Sequence, residues 1–290
     1  MKWDLTYHFE TVEEFDKAFN EVATLIMGLG EFKGKLGTLE GFSGYYNYQK
    51  KLEEKLYRVY QYASLKSDLN KKDVENASRV ARCRMLLYQA GQLTSFEAPE
   101  ILALGEEKVF NLLKEAGNLD EFKFYFEKLF RNADHVLDEK SETLLSIYSP
   151  LTSTGSELYS ALAVGDGMAK DVVLSNGETV KVTQGNYRSL IMDSKSPVDR
   201  KKIFEAVFTT FEEHKNAFAG IYKTVLEADK AQYLSRGYKN SLEAHLYGNN
   251  IPLEVYYNLV DVAGNNTDAV KKYIKLRKEY LNLEESHTYD

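Results

Sequence analysis

Val172-Val173-Leu174-Ser175-Asn176-Gly177-Glu178-Thr179-Val180-Lys181-Val182-Thr183 is the one stretch of this sequence that breaks a helical pattern. Apolar and β-branched residues flank an Asn-Gly pair, and both residues of such a pair accept the positive φ of a tight hairpin turn. A hairpin turning at Asn176-Gly177 is therefore expected. Two strands alone are marginal in water, so the hairpin must pack on helices.

Outward from it the period becomes that of a helix. Downstream, Ser196 can cap and Pro197 is preorganised for a first helical position. Ile203, Phe204, Val207, Phe208, Phe211, Phe218, Ile221 and Val225 then share an apolar face. Only an isolated Gly220 interrupts this run before about Ser235. A single helix of about 39 residues is predicted, roughly 58 Å long, with Gly237 as its stop. Pro252 opens another helix, and Thr267 can cap a last one running to about Leu281. Upstream, Thr11 and Glu14 have capping-box spacing ahead of Phe15, Phe19, Val22 and Ile26, and Gly28 and Gly30 end that helix. Tyr45, Tyr48, Leu52, Leu56, Val59 and Ala63 form a second stripe, from about Thr38 to Lys66. Ala77, Val80, Ala81, Met85 and Tyr88 form a third, between Asp73 and about Thr94. Shorter helices are expected at residues 99–103, 106–115, 120–131 and 139–148, the last capped by Asp138. Thr152-Ser153-Thr154-Gly155-Ser156 reads as a polar loop before a helix; such a start can bind an anion, and capping accounts for it more simply. The fold class is mainly α: long antiparallel helices, short turns and one small β-hairpin.

Composition narrows the function classes. A chain of 290 residues suggests about two domains. Aromatic residues make up 13%, which argues against global disorder. The net charge of -7 gives no general attraction to nucleic acid or anionic membrane. Lys71-Lys72 and Arg200-Lys201-Lys202 sit beside acids and read as solvated helix faces. The single cysteine, Cys83, allows no intrachain disulfide and fits a reducing compartment. Its neighbours Arg82 and Arg84 can lower a thiol pKa, although a small apolar residue on a helix face explains it more simply. Met1-Lys2-Trp3-Asp4 carries no signal-peptide pattern, and no apolar run approaches the ~18 residues of a membrane span. A cytoplasmic protein with neither a membrane nor a nucleic-acid partner is expected.

The residues that carry chemistry are sparse. A zinc peptidase of the H-E-x-x-H type needs two histidines at i and i+4 on one helix face, with the glutamate as general base. His8, His135, His214, His245 and His287 offer no such pair. His214 follows Glu212 and Glu213 and reads as a polar residue of the long helix. Phosphate-loop, dinucleotide and nucleophile-elbow motifs are missing as well. The candidate substrate-binding residues are Arg236, Tyr238, Asn249 and Asn250, in turns between helices, where polar groups can be aimed into a cleft. Arginine can grip a carboxylate through two parallel bonds, and asparagine can bond an extended peptide backbone as donor and acceptor. The alternative is capping: Gly237 as helix stop, Asn249 and Asn250 in a turn, and Arg236 at a helix C-terminus.

A set of stretches, in one order along the chain, begins with Trp3-Asp4-Leu5, Phe32-Lys33-Gly34-Lys35-Leu36, Tyr62-Ala63-Ser64-Leu65-Lys66 and Gln184-Gly185-Asn186-Tyr187. More specific are Arg200 to Phe204, His214-Lys215-Asn216, Arg236-Gly237-Tyr238, Ser241-Leu242-Glu243-Ala244, Gly248-Asn249-Asn250-Ile251-Pro252 and the closing His287-Thr288-Tyr289-Asp290. With these stretches the sequence as a whole resembles oligoendopeptidase F and, more remotely, the thimet-oligopeptidase-like metallopeptidases. The resemblance runs over essentially the whole chain and implies its N-terminal portion only, since the family's H-E-x-x-H helix lies further on. It implies zinc in the complete enzyme, where the metal acidifies a water, the glutamate takes the proton and hydroxide attacks a peptide carbonyl. It implies short unstructured peptides as substrates, and a deep channel of which this chain forms one side. It further implies three regions: 1–105 as an N-terminal helical lobe, 106–184 as short helices plus the hairpin, and 185–290 as the start of a peptidase domain that stops before the zinc helix. No catalytic or metal-binding residue of the family maps onto this sequence. The partners expected are peptide substrates and the missing C-terminal portion, and the chain alone is expected to be inactive. The alternative is a helical binding or scaffold protein that keeps the fold without the chemistry.

Overall fold

The computed structural model describes residues 3–166 and 169–290; Met1 and Lys2 of the N-terminal reading lie outside them. Among the described residues the chain is helical apart from one two-stranded antiparallel sheet. It divides into two units, Met1–Ser153 with Ala231–Asn240, and Thr154–Lys230 with Ser241–Asp290. The three sequence regions given above divide the chain by element type and family likeness instead.

In the first unit, α1 (Val12–Gly28), α2 (Leu39–Leu69) and α3 (Val74–Leu93) pack on one another. Each begins at a side-chain cap that takes an otherwise unpaired N–H. Thr11 accepts from the Glu14 N–H at 3.2 Å, Thr38 from Gly41 at 3.2 Å and Asp73 from Asn76 at 3.0 Å. Glu14 reaches one residue beyond the capping-box position, to the Glu10 N–H at 2.9 Å. The stripes expected on α1 and α2 form the core, with Phe15, Val22, Ile26, Tyr45, Val59 and Ala63 all buried. On α3 the stripe is different. Ala77, Ala81 and Met85 are exposed, and Asn76, Cys83 and Leu86 face inward. Asn76 tolerates burial because its carbonyl oxygen accepts from Arg79 Nη1 at 2.8 Å. Burial pushes the Cys83 thiol up to about 11, against the pull of Arg82, so it is a packing residue.

Next come α4 (Glu97–Leu104), α5 (Glu106–Ala116), α6 (Lys123–Arg131) and α7 (Glu139–Thr152), the last capped by Asp138. Glu97 opens α4 yet is buried. Its carboxylate accepts from the hydroxyls of Tyr45 (2.7 Å), Tyr46 (3.0 Å) and Tyr125 (2.8 Å), and from Gln49 Nε2 (3.1 Å). Burial first, and then the charge of Glu97, push all three phenols above their ordinary range. The polar loop expected at 152–156 is not one. Only Ser153 separates α7 from α8 (Thr154–Ser160). The hydroxyls of Thr152 and Ser153 fold back onto the carbonyls of Ser149 and Pro150, at 2.7 and 3.1 Å.

In the second unit, α8 packs through Gly155, where a Cβ would lie 2.5 Å from Val225 Cγ2. The hairpin forms where expected, with β1 (Ala169–Val173) and β2 (Thr179–Thr183) in the register Ala169↔Thr183, Val173↔Thr179. Its turn is not the expected pair of left-handed residues. Leu174 and Glu178 close a three-residue loop through the Leu174 N–H at 2.8 Å, and only Gly177 (φ 84°) is left-handed. Asn176 instead accepts from the Glu178 N–H at 3.0 Å through its side chain. Ser175 is held by Asp199, which accepts from its N–H at 2.9 Å and its hydroxyl at 2.7 Å. That hydroxyl is the main reason the Asp199 carboxyl titrates low. α9 (Tyr187–Asp193) follows, and Asp199 itself lies in the first turn of α10 (Pro197–Glu213), capped by Ser196. Val172 and Val182 of the hairpin pack on Ile203 and Val207 of α10.

The single long helix is broken, not at Gly220 but at His214 (φ −112°, ψ 18°), where α11 (Lys215–Ser235) begins anew. The Nδ1–H of His214 donates to the Thr210 carbonyl at 2.9 Å. That carbonyl is the one its own backbone N–H would take in a regular helix, so the N–H turns to Phe211 at 3.2 Å instead.

α11 ends in a paired-bond stop around Gly237 (φ 76°), with Gly237 N–H to Leu234 at 3.1 Å and Tyr238 N–H to Tyr233 at 3.0 Å. α12 (Ser241–Tyr247) ends in the same way around Asn250 (φ 54°), before α13 (Leu253–Asn265) and α14 (Asp268–Tyr280). Pro252 stands just outside α13 as its cap residue, and the Thr267 side chain makes no capping bond to α14. A left-handed residue with a Cβ is costly, so Asn250→Ala is expected to destabilise the second unit by about 1 kcal/mol and Asn250→Gly to leave it unchanged or firmer. Urea unfolding of the two variants checks this, and equal midpoints would contradict it.

Candidate functional site

Arg236 follows the last residue of α11 and is held in a fork. Its Nη1 and Nη2 donate to Glu142 Oε1 and Oε2 at 2.8 and 2.9 Å, and Nη1 also donates to the His135 carbonyl at 3.0 Å. His135 returns a bond from Nδ1–H to the Arg236 carbonyl at 2.8 Å. The Tyr238 ring stacks on the His135 imidazole, with centroids 3.6 Å apart and planes 18° from parallel. The turn that ends α11 presents Arg236 and Tyr238, and α7 presents Glu142. Burial pushes the Glu142 carboxyl up, but the Arg236 fork and the Leu137 N–H outweigh it, and the carboxyl titrates below its ordinary value of 4.5. Its stabilising contribution is therefore complete above pH 4.5 and fades as pH falls through the lowered folded value. Glu142→Gln is expected to cost the first unit about 2–3 kcal/mol near neutral pH and to flatten its stability–pH curve below 4.5. An unchanged curve would count against a charged pair.

The structure thus gathers two of the four sequence candidates, Arg236 and Tyr238, with two residues that the sequence reading missed in this role, His135 and Glu142. Three of the guanidinium's five N–H groups are engaged in these bonds, which leaves two among the described residues. Asn249 and Asn250 belong to the second unit, exposed in the turn after α12.

Arg200 is an exception to the solvated reading of its basic cluster. Its Nη2 meets Asp290 Oδ1 at 3.2 Å and its Nε donates to the Tyr289 carbonyl at 3.1 Å, with the two side chains only 12% and 3% exposed. Two stretches that carried the family resemblance, Arg200 to Phe204 and His287 to Asp290, therefore meet in space, with Phe204 and Tyr289 rings 5.2 Å apart.

The described residues do not fit a zinc ion. Among the described residues no three His, Cys, Asp or Glu side chains are placed to share a metal. His287 has Glu285 3.6 Å from Nε2 and Asp290 3.4 Å from Nδ1. These acids face opposite nitrogens of the ring, so the three cannot converge on one metal.

Comparison with known proteins agrees with the whole-chain resemblance. A family model described as Oligopeptidase F matches residues 100–167. The chain is 32% identical to Oligopeptidase PepF of Bacillus subtilis over 99% of its own length and 43% of that protein. It is 29% identical to Group B oligopeptidase PepB of Streptococcus agalactiae, over 100% of this chain and 48% of that one. Among solved structures it resembles the crystal structure of oligoendopeptidase-F from Enterococcus faecium, with a TM-score of 0.89 at 27% identity, covering 97% of this chain and 55% of that chain. The chain therefore spans about half the length of the relatives it matches.

Proposed function

We propose, from the premise that the chain matches the N-terminal portion of oligoendopeptidase F along its whole length, that it is the substrate-enclosing part of a zinc-dependent oligopeptidase acting on short unstructured peptides. The observation that carries this reading is the match of essentially the whole chain to named oligopeptidases over about half their length. In this reading residues 1–105 form a helical lobe, 106–184 the short helices and hairpin, and 185–290 the start of the peptidase domain. Together they make one side of a deep channel that admits extended peptides and excludes folded chains. Zinc and the attacking water belong to the C-terminal part, and the complete enzyme works in the cytoplasm. No helix among the described residues is long and apolar enough to cross a membrane.

The chain alone is expected to hold no stoichiometric zinc after mild chelation and to show no turnover in a quenched-peptide assay. Combined with the C-terminal part of an oligopeptidase relative, it is expected to support cleavage of short peptides. Tightly held zinc with turnover by the chain alone overturns the division of labour. Inactivity of the combined protein favours a binding or scaffold role.

Arg236, Tyr238, Asn249 and Asn250 are proposed as peptide contacts of the channel, with Arg236 directing its two remaining N–H groups to a peptide carboxylate or carbonyl. In the complete enzyme, Arg236→Ala and Asn250→Ala are expected to lower kcat/KM for short peptides by about tenfold or more. Loss of melting temperature alone, with kcat/KM kept, assigns both residues to the fold.

A further inference from the structure

α13 and α14 carry apolar faces that nothing in the second unit covers. Neither helix, each 13 residues long, has a single buried residue. On α13, Val255, Leu259 and Val262 lie one helical turn apart, with the polar Glu254, Asn258 and Asp261 grouped on one flank. On α14, Tyr273, Leu276 and Tyr280 repeat the spacing. These six side chains are between 51% and 87% exposed. A helix of this length is marginal in water without an apolar partner, and exposed apolar faces of this kind are where partners bind.

The area of the chain sets the size of what is missing. It exposes 18979 Å². Two separate compact domains of half its mass would together expose about 15,000 Å². The excess of about 4,000 Å² lies on this chain alone, so a partner that covered half of it would make an interface of about 4,000 Å² counted over both sides, the size of an obligate one. The matched relatives, meanwhile, are about twice as long as this chain.

We propose that the apolar faces of α13 and α14 seat the C-terminal portion of an oligoendopeptidase-type polypeptide, whose own apolar helices complete the core that these two helices begin. This rests on the functional reading above and adds the surface through which the halves join.

The test mixes the purified chain with the part of the Bacillus subtilis relative that follows the matched region, and follows sedimentation and amide hydrogen exchange. A 1:1 complex is expected, with exchange in α13 and α14 at least tenfold slower than in the chain alone (about 1.4 kcal/mol of protection). The double variant Leu259→Asp, Leu276→Asp should keep the circular dichroism of the chain, since neither side chain is buried, and weaken the complex by about 30-fold or more. No complex, a complex without protection of these helices, or a dimer of the chain alone that protects them overturns the proposal. Peptide hydrolysis in the same samples separates the two claims. A protected but inactive complex removes the functional reading and keeps the docking surface, and an active complex with both helices unprotected does the reverse.

Discussion

Glu97→Ala is expected to destabilise the first unit by about 4–6 kcal/mol. The substitution removes the acceptor of three tyrosine hydroxyls and a glutamine amide, Tyr45, Tyr46, Tyr125 and Gln49, and leaves a void among them. A buried hydroxyl without a partner costs about 1–3 kcal/mol. Three of them, less what an entering water recovers, come to on the order of 4–6 kcal/mol, against a total stability of about 5–15 kcal/mol for a domain of this size. Tyr45 and Tyr46 are fully buried, so they cannot turn to solvent without dismantling the ring cluster they share with Phe42 and Phe126. Glu97→Gln keeps one acceptor oxygen and places an amide where the second was, so a loss of about half that size is expected. The checks are urea unfolding followed by tyrosine near-UV dichroism, and hydrogen exchange in α2. A Glu97→Ala midpoint within experimental error of the parent would mean that the four donors find other acceptors and that the network is not what fixes α4 to α2.

That network shows where sequence reading stops. The caps at Thr11, Asp138 and Ser196 are legible because each is a contest between a side chain and an N–H three residues on, decided within one turn. The hairpin is legible for the same reason. Glu97 is not: its partners lie 28 to 52 residues away, and in the sequence it is an acidic residue at a helix start, where acids are ordinary. Arg236 and Glu142 are 94 residues apart, so the residue type announces a carboxylate grip but not whose carboxylate. His214 looks like any polar helix residue until its imidazole competes for the Thr210 carbonyl. On α3 two stripes fit the helical period, and propensity favours the more apolar one. Tertiary packing chooses the other, because Asn76 is satisfied by Arg79 and Cys83 is small enough to sit against the core. α13 and α14 are legible as helices from Pro252 to about Leu281, but a helical pattern does not say whether its partner lies in the same chain.

Gly41→Ala is expected to destabilise the first unit by about 3–5 kcal/mol, although it exchanges a poor helix former for the best one. Gly41 is the third residue of α2, and its N–H donates to the Thr38 cap. A Cβ there would lie 2.0 Å from the Lys35 carbonyl oxygen and 2.7 Å from its carbon. Neither partner can yield cheaply, because both are backbone. The Lys35 turn is pinned from the other side: Glu100 accepts from the N–H groups of Gly34 and Leu36, each at 2.8 Å, and the Leu36 side chain is fully buried. Moving the turn away from a methyl group therefore breaks two charge-assisted bonds or withdraws Leu36 from the core, and moving α2 instead disturbs the tyrosines around Glu97. The control is Gly91→Ala in α3, where nothing lies within 4 Å of the added carbon. There helix propensity acts alone and a gain of up to about 1 kcal/mol is expected. Opposite shifts in melting temperature for two identical substitutions in helices of one unit would attribute the loss to the contact with Lys35. If both variants gain stability, the turn from Phe32 to Leu36 is free to move, and the close approach at Gly41 does not constrain the fold.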